Sequence, residues 1–210
     1  MRKINLAIFV SGRGSQLKNI IRKIKEKKLD AKIKLVVSSK KTAPAFFIAR
    51  RNKIKALYLS KKRLGKKFDS ILPRLLKKER IDLVVLAGYL KKISPKIVRA
   101  YRNKIINIHP AWDIRKFGGK GMYGEHVHKK VLNSKEPFSG VTIHFVDEIY
   151  DHGPIIWRIK VPIFNEDTPD ILAERILDLE HKIYPWVIQL FAEGRIKVKK
   201  RKVEILPPNK

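Results

Sequence analysis

A rhythm of short apolar runs and amphipathic stretches constrains this chain more than any other feature. "INLAIFV" (Ile4–Val10) is almost continuously apolar, as in a parallel strand covered on both faces. After "SGRGS" comes an amphipathic stretch, residues 16–27, with Leu17, Ile20, Ile21 and Ile24 on one helical stripe. "AKIKLVVS", "IKALYL", "IDLVVLAG" and "KIINIHP" read as further strands. Between them lie three helical stretches: "APAFFIARRN" with Pro44 in its first turn, "KKFDSILPRLLKKER", which must accommodate Pro73, and "SPKIVRAY" with Ser94 as N-cap and Pro95 at N1. This β-α-β alternation predicts an α/β fold with a doubly wound, mostly parallel sheet.

After Pro110 the rhythm changes. "AWDIRKFGGKGMYGE" is read as a long loop carrying Gly118, Gly119, Gly121 and Gly124, of the kind that is functional inside a compact domain. "HVHKKVLNS" follows as a helix, "GVTIHFV" as an alternating strand, "DEIYDHG" as a turn and "PIIWRIKVPI" as a strand. Residues 168–191 form a long helix with Thr168 as N-cap and Pro169 at N1, and "RIKVKKRKVEILPP" alternates like a strand hairpin. No internal repeat or domain boundary appears, so residues 1–210 are expected to form a single domain.

Composition narrows the function classes. The chain lacks cysteine, which removes disulfides and thiolate metal sites. No run approaches the roughly 20 apolar residues that span a bilayer, and the N-terminus reads as a first strand, so a cytoplasmic protein is expected. The 49 Lys+Arg against 19 Asp+Glu raise the possibility of a polyanion partner. These cations are mostly lysine and are spread along the whole chain, whereas nucleic-acid recognition concentrates them in a footprint and leans on arginine, so a nucleic-acid partner is disfavoured.

Four constellations could carry chemistry. Ser11-Gly12-Arg13-Gly14-Ser15-Gln16 joins a strand to a helix N-terminus, which suits an anion. Leu17 occupies the third glycine position of a dinucleotide fingerprint, and "VVSSKK" lacks its acidic residue, so a monophosphate fits better; a plain tight turn is the alternative. Asn107 and His109 share one face of a strand at its carboxyl end, as an oxyanion donor and a proton carrier or as a buried hydrogen-bonded pair. Asp151 in "DEIYDHGP" could serve its own turn, or could lie near His109 and raise its pKa or order a water. Glu180 shares an apolar helix face with Ile176, Ile183 and Val187, so its carboxylate needs a partner, a ribose or a nearby cation. His126 and His128, two apart on a helix, read as surface residues rather than metal ligands.

Taken together, "SGRGSQL", "VLAGYLKKISP", "NIHPA", "FGGKGMYG", "GVTIHFVDEIYDHGPII" and "EHKIYPWVIQLFAEGRI" resemble the phosphoribosylglycinamide formyltransferase family in order and spacing, over nearly the whole chain. The resemblance implies a Rossmann-like formyltransferase fold with a C-terminal helix and strand hairpin. It implies transfer of a formyl group from the co-substrate 10-formyltetrahydrofolate to the amine of 5'-phosphoribosylglycinamide in purine (IMP) biosynthesis, with no metal and no covalent enzyme intermediate. Asn107, His109 and Asp151 would be catalytic, with Asn107 and a protonated His109 stabilising the oxyanion and Asp151 holding a proton-transfer water. Gly14, Ser15 and Gln16 would hold the substrate phosphate and Glu180 its ribose. Leu90, Lys91, Lys92, Ile93, Asn107, Asp147 and Asp151 would bind folate.

Three positions depart from the family pattern. Gln16 replaces the usual Asn, "AWDIR" at 111–115 replaces the usual Leu-Leu-Pro, and Lys92 replaces an apolar residue. Formyl transfer to another amine, methionyl-tRNA or an amino-sugar nucleotide, is the competing enzyme reading. The tRNA reading is disfavoured because no added RNA-binding domain follows. A basic nucleic-acid-binding module leaves Asn107, His109 and Asp151 unexplained. The expected assembly is a monomer or homodimer.

Overall fold

The protein was analysed as a computed structural model that describes residues 3–208. Strands β1 (Ile4–Val10), β2 (Ala31–Ser38), β3 (Ala56–Tyr58), β4 (Leu83–Leu86), β5 (Ile105–His109), β6 (Phe138–Phe145) and β7 (Ile155–Pro162) form one sheet in the order β3-β2-β1-β4-β5-β6-β7. Strands β1 to β5 pair in parallel, whereas β6 pairs antiparallel with β5 and β7 with β6. The helices are α1 (Ser15–Lys25), α2 (Ala45–Arg51), α3 (Lys61–Leu64), α4 (Phe68–Lys78), α5 (Pro95–Ala100), α6 (Ile114–Phe117), α7 (Glu125–Asn133) and α8 (Pro169–Ala192). Strands β8 (Ile196–Lys199) and β9 (Lys202–Ile205) make a separate antiparallel hairpin after α8. The mostly parallel, doubly wound architecture follows the expected pattern.

Strand alternation builds two cores. Leu6, Ile8 and Val10 of β1, with Val85 and Ile106, pack against α1 and against Ile176, Tyr184 and Val187 of α8. Ala7 and Phe9, with Val84, Leu86 and Ile105, pack against Leu72 and Leu76 of α4 and Ile97 of α5. Both faces of β1 are therefore dry, which explains its unbroken apolar run. Winding reverses between β1 and β4, so their carboxyl ends leave a crevice where sheets of this kind bind ligands.

Local details depart from expectation at a few places. Only Ala56–Tyr58 of "IKALYL" pairs as a strand, and only Leu83–Leu86 of "IDLVVLAG". The loop after Pro110 contains the one-turn helix α6, whose first amides are capped by Asp113: its carboxylate accepts from the backbone N–H of Arg115 at 2.9 Å and Lys116 at 3.1 Å. Ser94 sits at the N-cap of α5, yet its buried hydroxyl makes no capping bond, whereas Thr168 accepts from Ile171 N–H as expected.

Helix α8 carries Pro185 inside it. A proline there cannot donate to the carbonyl four residues earlier, that of His181. Asn19 of α1 supplies the missing donor, its Nδ2 lying 2.7 Å from His181 O. On the residue before Pro185, the buried Tyr184 hydroxyl lies 2.9 Å from Leu86 O and 3.2 Å from Ile106 O, pinning α8 to the last residue of β4 and to the second residue of β5. Among the described residues no helix is long and apolar enough to cross a membrane.

Candidate active site

Asn107 and His109 project from the last residues of β5 into a cleft of about 770 Å³ at the carboxyl edge of the sheet. The antiparallel partner β6 places His144 directly opposite Asn107 and Thr142 opposite His109. Asp151 enters from the β6–β7 loop. Its Oδ1 accepts from Asn107 Nδ2 at 3.3 Å, and its Oδ2 accepts from the backbone N–H of Gly119 at 2.8 Å. His109 Nδ1 lies 3.9 Å from Asp151 Oδ2, which is ion-pair range but beyond a hydrogen bond. The structure therefore joins the three residues the sequence singled out.

Hydrogen-bond partners orient the side chains of this cluster. His144 Nδ1 donates to Phe145 O at 2.8 Å, and its Nε2 lies 3.2 Å from Asn107 Nδ2 and 3.5 Å from Asp151 Oδ1. The Asn107 amide thus points nitrogen-first toward both His144 and Asp151. His109 Nε2 donates to Phe117 O at 3.0 Å, leaving the Nδ1 lone pair facing Asp151. Asp151 itself holds a positive φ of 47°, a strained backbone for a residue with a side chain. Two glycines packed around it leave no slack: a Cβ on Gly153, two residues on, would stand 1.7 Å from Phe145 O, and one on Gly118 2.1 Å from Ile114 O and 2.7 Å from Asp151 Cβ.

Charge behaves differently from expectation at His109. Burial pushes its pKa below the ordinary value of 6.5, and the upward pull of Asp151 and the Phe117 carbonyl does not overcome that; His144 pushes further down. The expected rise therefore does not occur in the unliganded protein, and His109 is neutral at pH 7. For Asp151, burial acts upward, but the His144 hydrogen bond, the field of His109 and the Gly119 N–H hold the carboxyl below 3.8. An ionised carboxylate thus faces a neutral imidazole.

The other end of the cleft is built from the β1–α1 turn. Gly14 takes φ 83° as the N-cap of α1, and a Cβ there would meet Ala45 Cβ at 3.0 Å, so glycine is required both for the turn and for the seat on α2. Gly12, Arg13, Gly14, Ser15 and Gln16 line the cleft, and the first turn of α1 has no acidic residue. Ser11 ties the edge together: its Oγ accepts from Leu90 N–H at 2.9 Å and lies 2.7 Å from Ser39 Oγ, while its N–H donates to Gly88 O at 3.0 Å. Glu180 is buried beside this turn. Its partner is neither a lysine nor an arginine but Gln16, whose Nε2 donates to Glu180 Oε2 at 3.0 Å. Burial outweighs that bond and raises the Glu180 pKa from 4.5 to about 7.

Leu90, Lys91, Lys92 and Ile93 form the opposite wall with Val146, Asp147, Ile149 and Tyr150. Ile93 is buried and both lysines are exposed; Lys92 Nζ stands 5.5 Å from the centre of the Tyr150 ring, so the cation at this departure packs over a neighbour on the same wall.

Two site residues escaped the sequence reading. His144 was passed over, although the alternation that buries Val141, Ile143 and Phe145 in one core puts Thr142 and His144 on the face of Asn107. His128 was read as surface but is buried on α7 and lines the cleft. Burial and the neighbouring His109 lower its pKa to about 4, and its buried Nδ1 has no hydrogen-bond partner among the described residues. Among the described residues, no group of three or more His, Cys, Asp or Glu side chains is placed to hold a metal ion.

Known proteins resemble this chain over most of its length. The family model described as "Formyl transferase" matches residues 4–188. A chloroplastic phosphoribosylglycinamide formyltransferase of Arabidopsis thaliana is 42% identical over 93% of this chain, which spans 68% of that protein's length. The phosphoribosylglycinamide formyltransferase of Escherichia coli is 34% identical over 93% of this chain and 90% of its own. The crystal structure of glycinamide ribonucleotide transformylase 1 from Symbiobacterium toebii superposes with a TM-score of 0.89 at 34% identity, covering 98% of this chain and 95% of its own. With a site of this shape and relatives of this kind, the chain belongs to the formyl transferase family, among the phosphoribosylglycinamide formyltransferases.

Proposed function

We propose that the protein transfers the formyl group of 10-formyltetrahydrofolate to the glycyl amine of 5'-phosphoribosylglycinamide. The observation that carries this is the convergence of Asn107, His109 and Asp151 midway along one cleft. An anion-suited helix N-terminus and Glu180 lie at one end, and the wall of residues 90–93 with Val146, Asp147, Ile149 and Tyr150 lies at the other. A phosphorylated amine fits the first end and a flat folate ring the second. The cleft volume, about 770 Å³, falls within the range of small-molecule sites.

The chemistry follows from the protonation states. As the amine nitrogen attacks the formyl carbon, its oxygen gains charge, and an Asn107 N–H turns from His144 or Asp151 to meet it; one such donor is worth about 3 kcal/mol. His109, neutral beforehand, accepts the amine proton at Nδ1, directly or through a water held by Asp151. The ionised Asp151 then stabilises the imidazolium from 3.9 Å. The proton passes to the departing folate nitrogen as its bond to the formyl carbon breaks. His109 thus acts first as a base, where the sequence reading had it protonated from the start.

On this reading, Gly14, Ser15 and Gln16 hold the phosphate through the α1 N-terminus, Glu180 holds the ribose, and residues 1–210 act as one formyltransferase domain. The enzyme works in the cytoplasm as a monomer or homodimer, and its dispersed lysines serve no nucleic-acid partner. The test is a panel of amines with 10-formyltetrahydrofolate. Turnover is expected with 5'-phosphoribosylglycinamide alone, and turnover only with methionyl-tRNA or an amino-sugar nucleotide refutes the substrate assignment. His109→Ala and Asp151→Asn are expected to lower kcat/KM by about 10²-fold or more with circular dichroism unchanged.

A further inference from the structure

The C-terminal hairpin reaches back to the active-site loop. Its two-residue turn is Lys200-Arg201, with Lys200 at φ 56° between the paired Lys199 and Lys202. From this tip the Arg201 guanidinium spans the loop that carries Asp151. Nη1 and Nη2 each lie 3.3 Å from Asp147 Oδ2, and Nη2 donates to His152 O at 2.7 Å. Asp147 also closes the loop on itself: its Oδ2 accepts from His152 Nδ1 at 3.0 Å, and its Oδ1 from Ile149 N–H at 2.9 Å. Arg201 therefore grips the loop on both sides of Asp151, four residues before it and one after.

Asp151 needs such a grip. Its backbone sits in the left-handed region, and its carboxylate must reach Gly119 N–H and Asn107 together. Strained conformations persist only where the surroundings over-determine them. Inside the cleft the Asp151 carboxylate accepts from Gly119 and Asn107; from outside, Arg201 holds the backbone that carries it through Asp147 and the His152 carbonyl. A guanidinium fork can serve a carboxylate and a carbonyl at once, which an ammonium on a flexible stem cannot match.

We propose that Arg201 is a positioning residue for formyl transfer: the hairpin tip latches the 147–152 loop and so sets the Asp151 carboxylate against His109. This rests on the catalytic role given to Asp151 above. Arg201 works from the surface: its side chain is exposed and it is absent from the residues lining the cleft, whereas Asp147, which it holds, is one of them.

The experiment compares Arg201→Ala, Arg201→Lys and the neighbouring Lys202→Ala in the full-length protein. Steady-state kinetics with 5'-phosphoribosylglycinamide are combined with hydrogen–deuterium exchange. Arg201→Ala is expected to lower kcat by about 10-fold or more, since a misplacement of about 1 Å can cost 10²-fold, while KM for the amine stays within about twofold. Amides of 147–153 are expected to exchange faster, with no change in β1, β4 or β5. Arg201→Lys recovers part of kcat, and Lys202→Ala, which removes the same charge one residue away, changes neither readout. Wild-type kcat in Arg201→Ala overturns the proposal, as does unchanged exchange in 147–153 or an equal loss in Lys202→Ala. A wild-type protein inactive with this amine refutes the substrate reading instead, and the exchange data still decide whether the latch exists.

Discussion

Glu180→Gln isolates a single buried titration. Glu180 is 9% exposed, and burial lifts its pKa from 4.5 to about 7 against the opposing bond from Gln16. The folded protein therefore binds this proton more tightly than the unfolded chain. Its contribution to stability is complete below about pH 4.5, declines as pH rises, and is lost once pH passes about 7. At about 1.4 kcal/mol per pH unit, that displacement is worth about 3 kcal/mol. Glutamine keeps the shape and an acceptor for Gln16 Nε2 but cannot ionise. Urea unfolding of both proteins at pH 4.5 and pH 8 gives the difference in which all other titrations cancel. The wild type is expected to lose about 3 kcal/mol relative to Glu180→Gln between those two pH values. A difference that stays constant within about 0.5 kcal/mol would mean that burial leaves the Glu180 pKa where it is in the unfolded chain, and would remove the reasoning.

Two further outcomes follow from the site. Gly118→Ala is expected to abolish activity and destabilise the fold by about 1–3 kcal/mol in thermal or urea unfolding, because the added methyl collides with Ile114 O and pushes Asp151 off Gly119 N–H; a fully active, equally stable variant would contradict the tight seat described for Asp151. The acid limb of kcat/KM in the free enzyme, set by protonation of the catalytic base, is expected below the ordinary histidine value of 6.5, since burial lowers His109; a limb above pH 7 would show that Asp151 dominates the imidazole after all.

Strand β1 was legible from its nearly continuous apolar run, β2 and β5 from apolar stretches broken only by a few polar residues, and α8 because Thr168 and Pro169 mark its start. Asn107 and His109 were legible from alternation, and Asp151 only with the help of the family motifs. What escaped depends on closure in space. Helix α6 is a single turn, too short to leave a periodic trace within a glycine-rich segment. His128 looked solvated because the neighbour that buries it, the cleft edge near His109, is distant in sequence. The lowered His109 pKa could not be read either: proximity to a carboxylate was predictable, but the depth of burial that outweighs it was not. Gln16 and Glu180 were each singled out, and nothing in the sequence showed that they bond to each other.

The bond from Asn19 to the carbonyl freed by Pro185 also bears on how the chain acquires its site during synthesis. Residues 19 and 181 are 162 positions apart, and closing so long a separation is a late event in folding. Until α1 is in place, α8 carries a carbonyl it cannot satisfy from within. The donor that satisfies it sits one helical turn from Gln16, and the carbonyl belongs to the residue next to Glu180. The α1–α8 contact that satisfies this carbonyl therefore also seats Glu180 on Gln16, so one long-range docking completes both the helix and this end of the cleft.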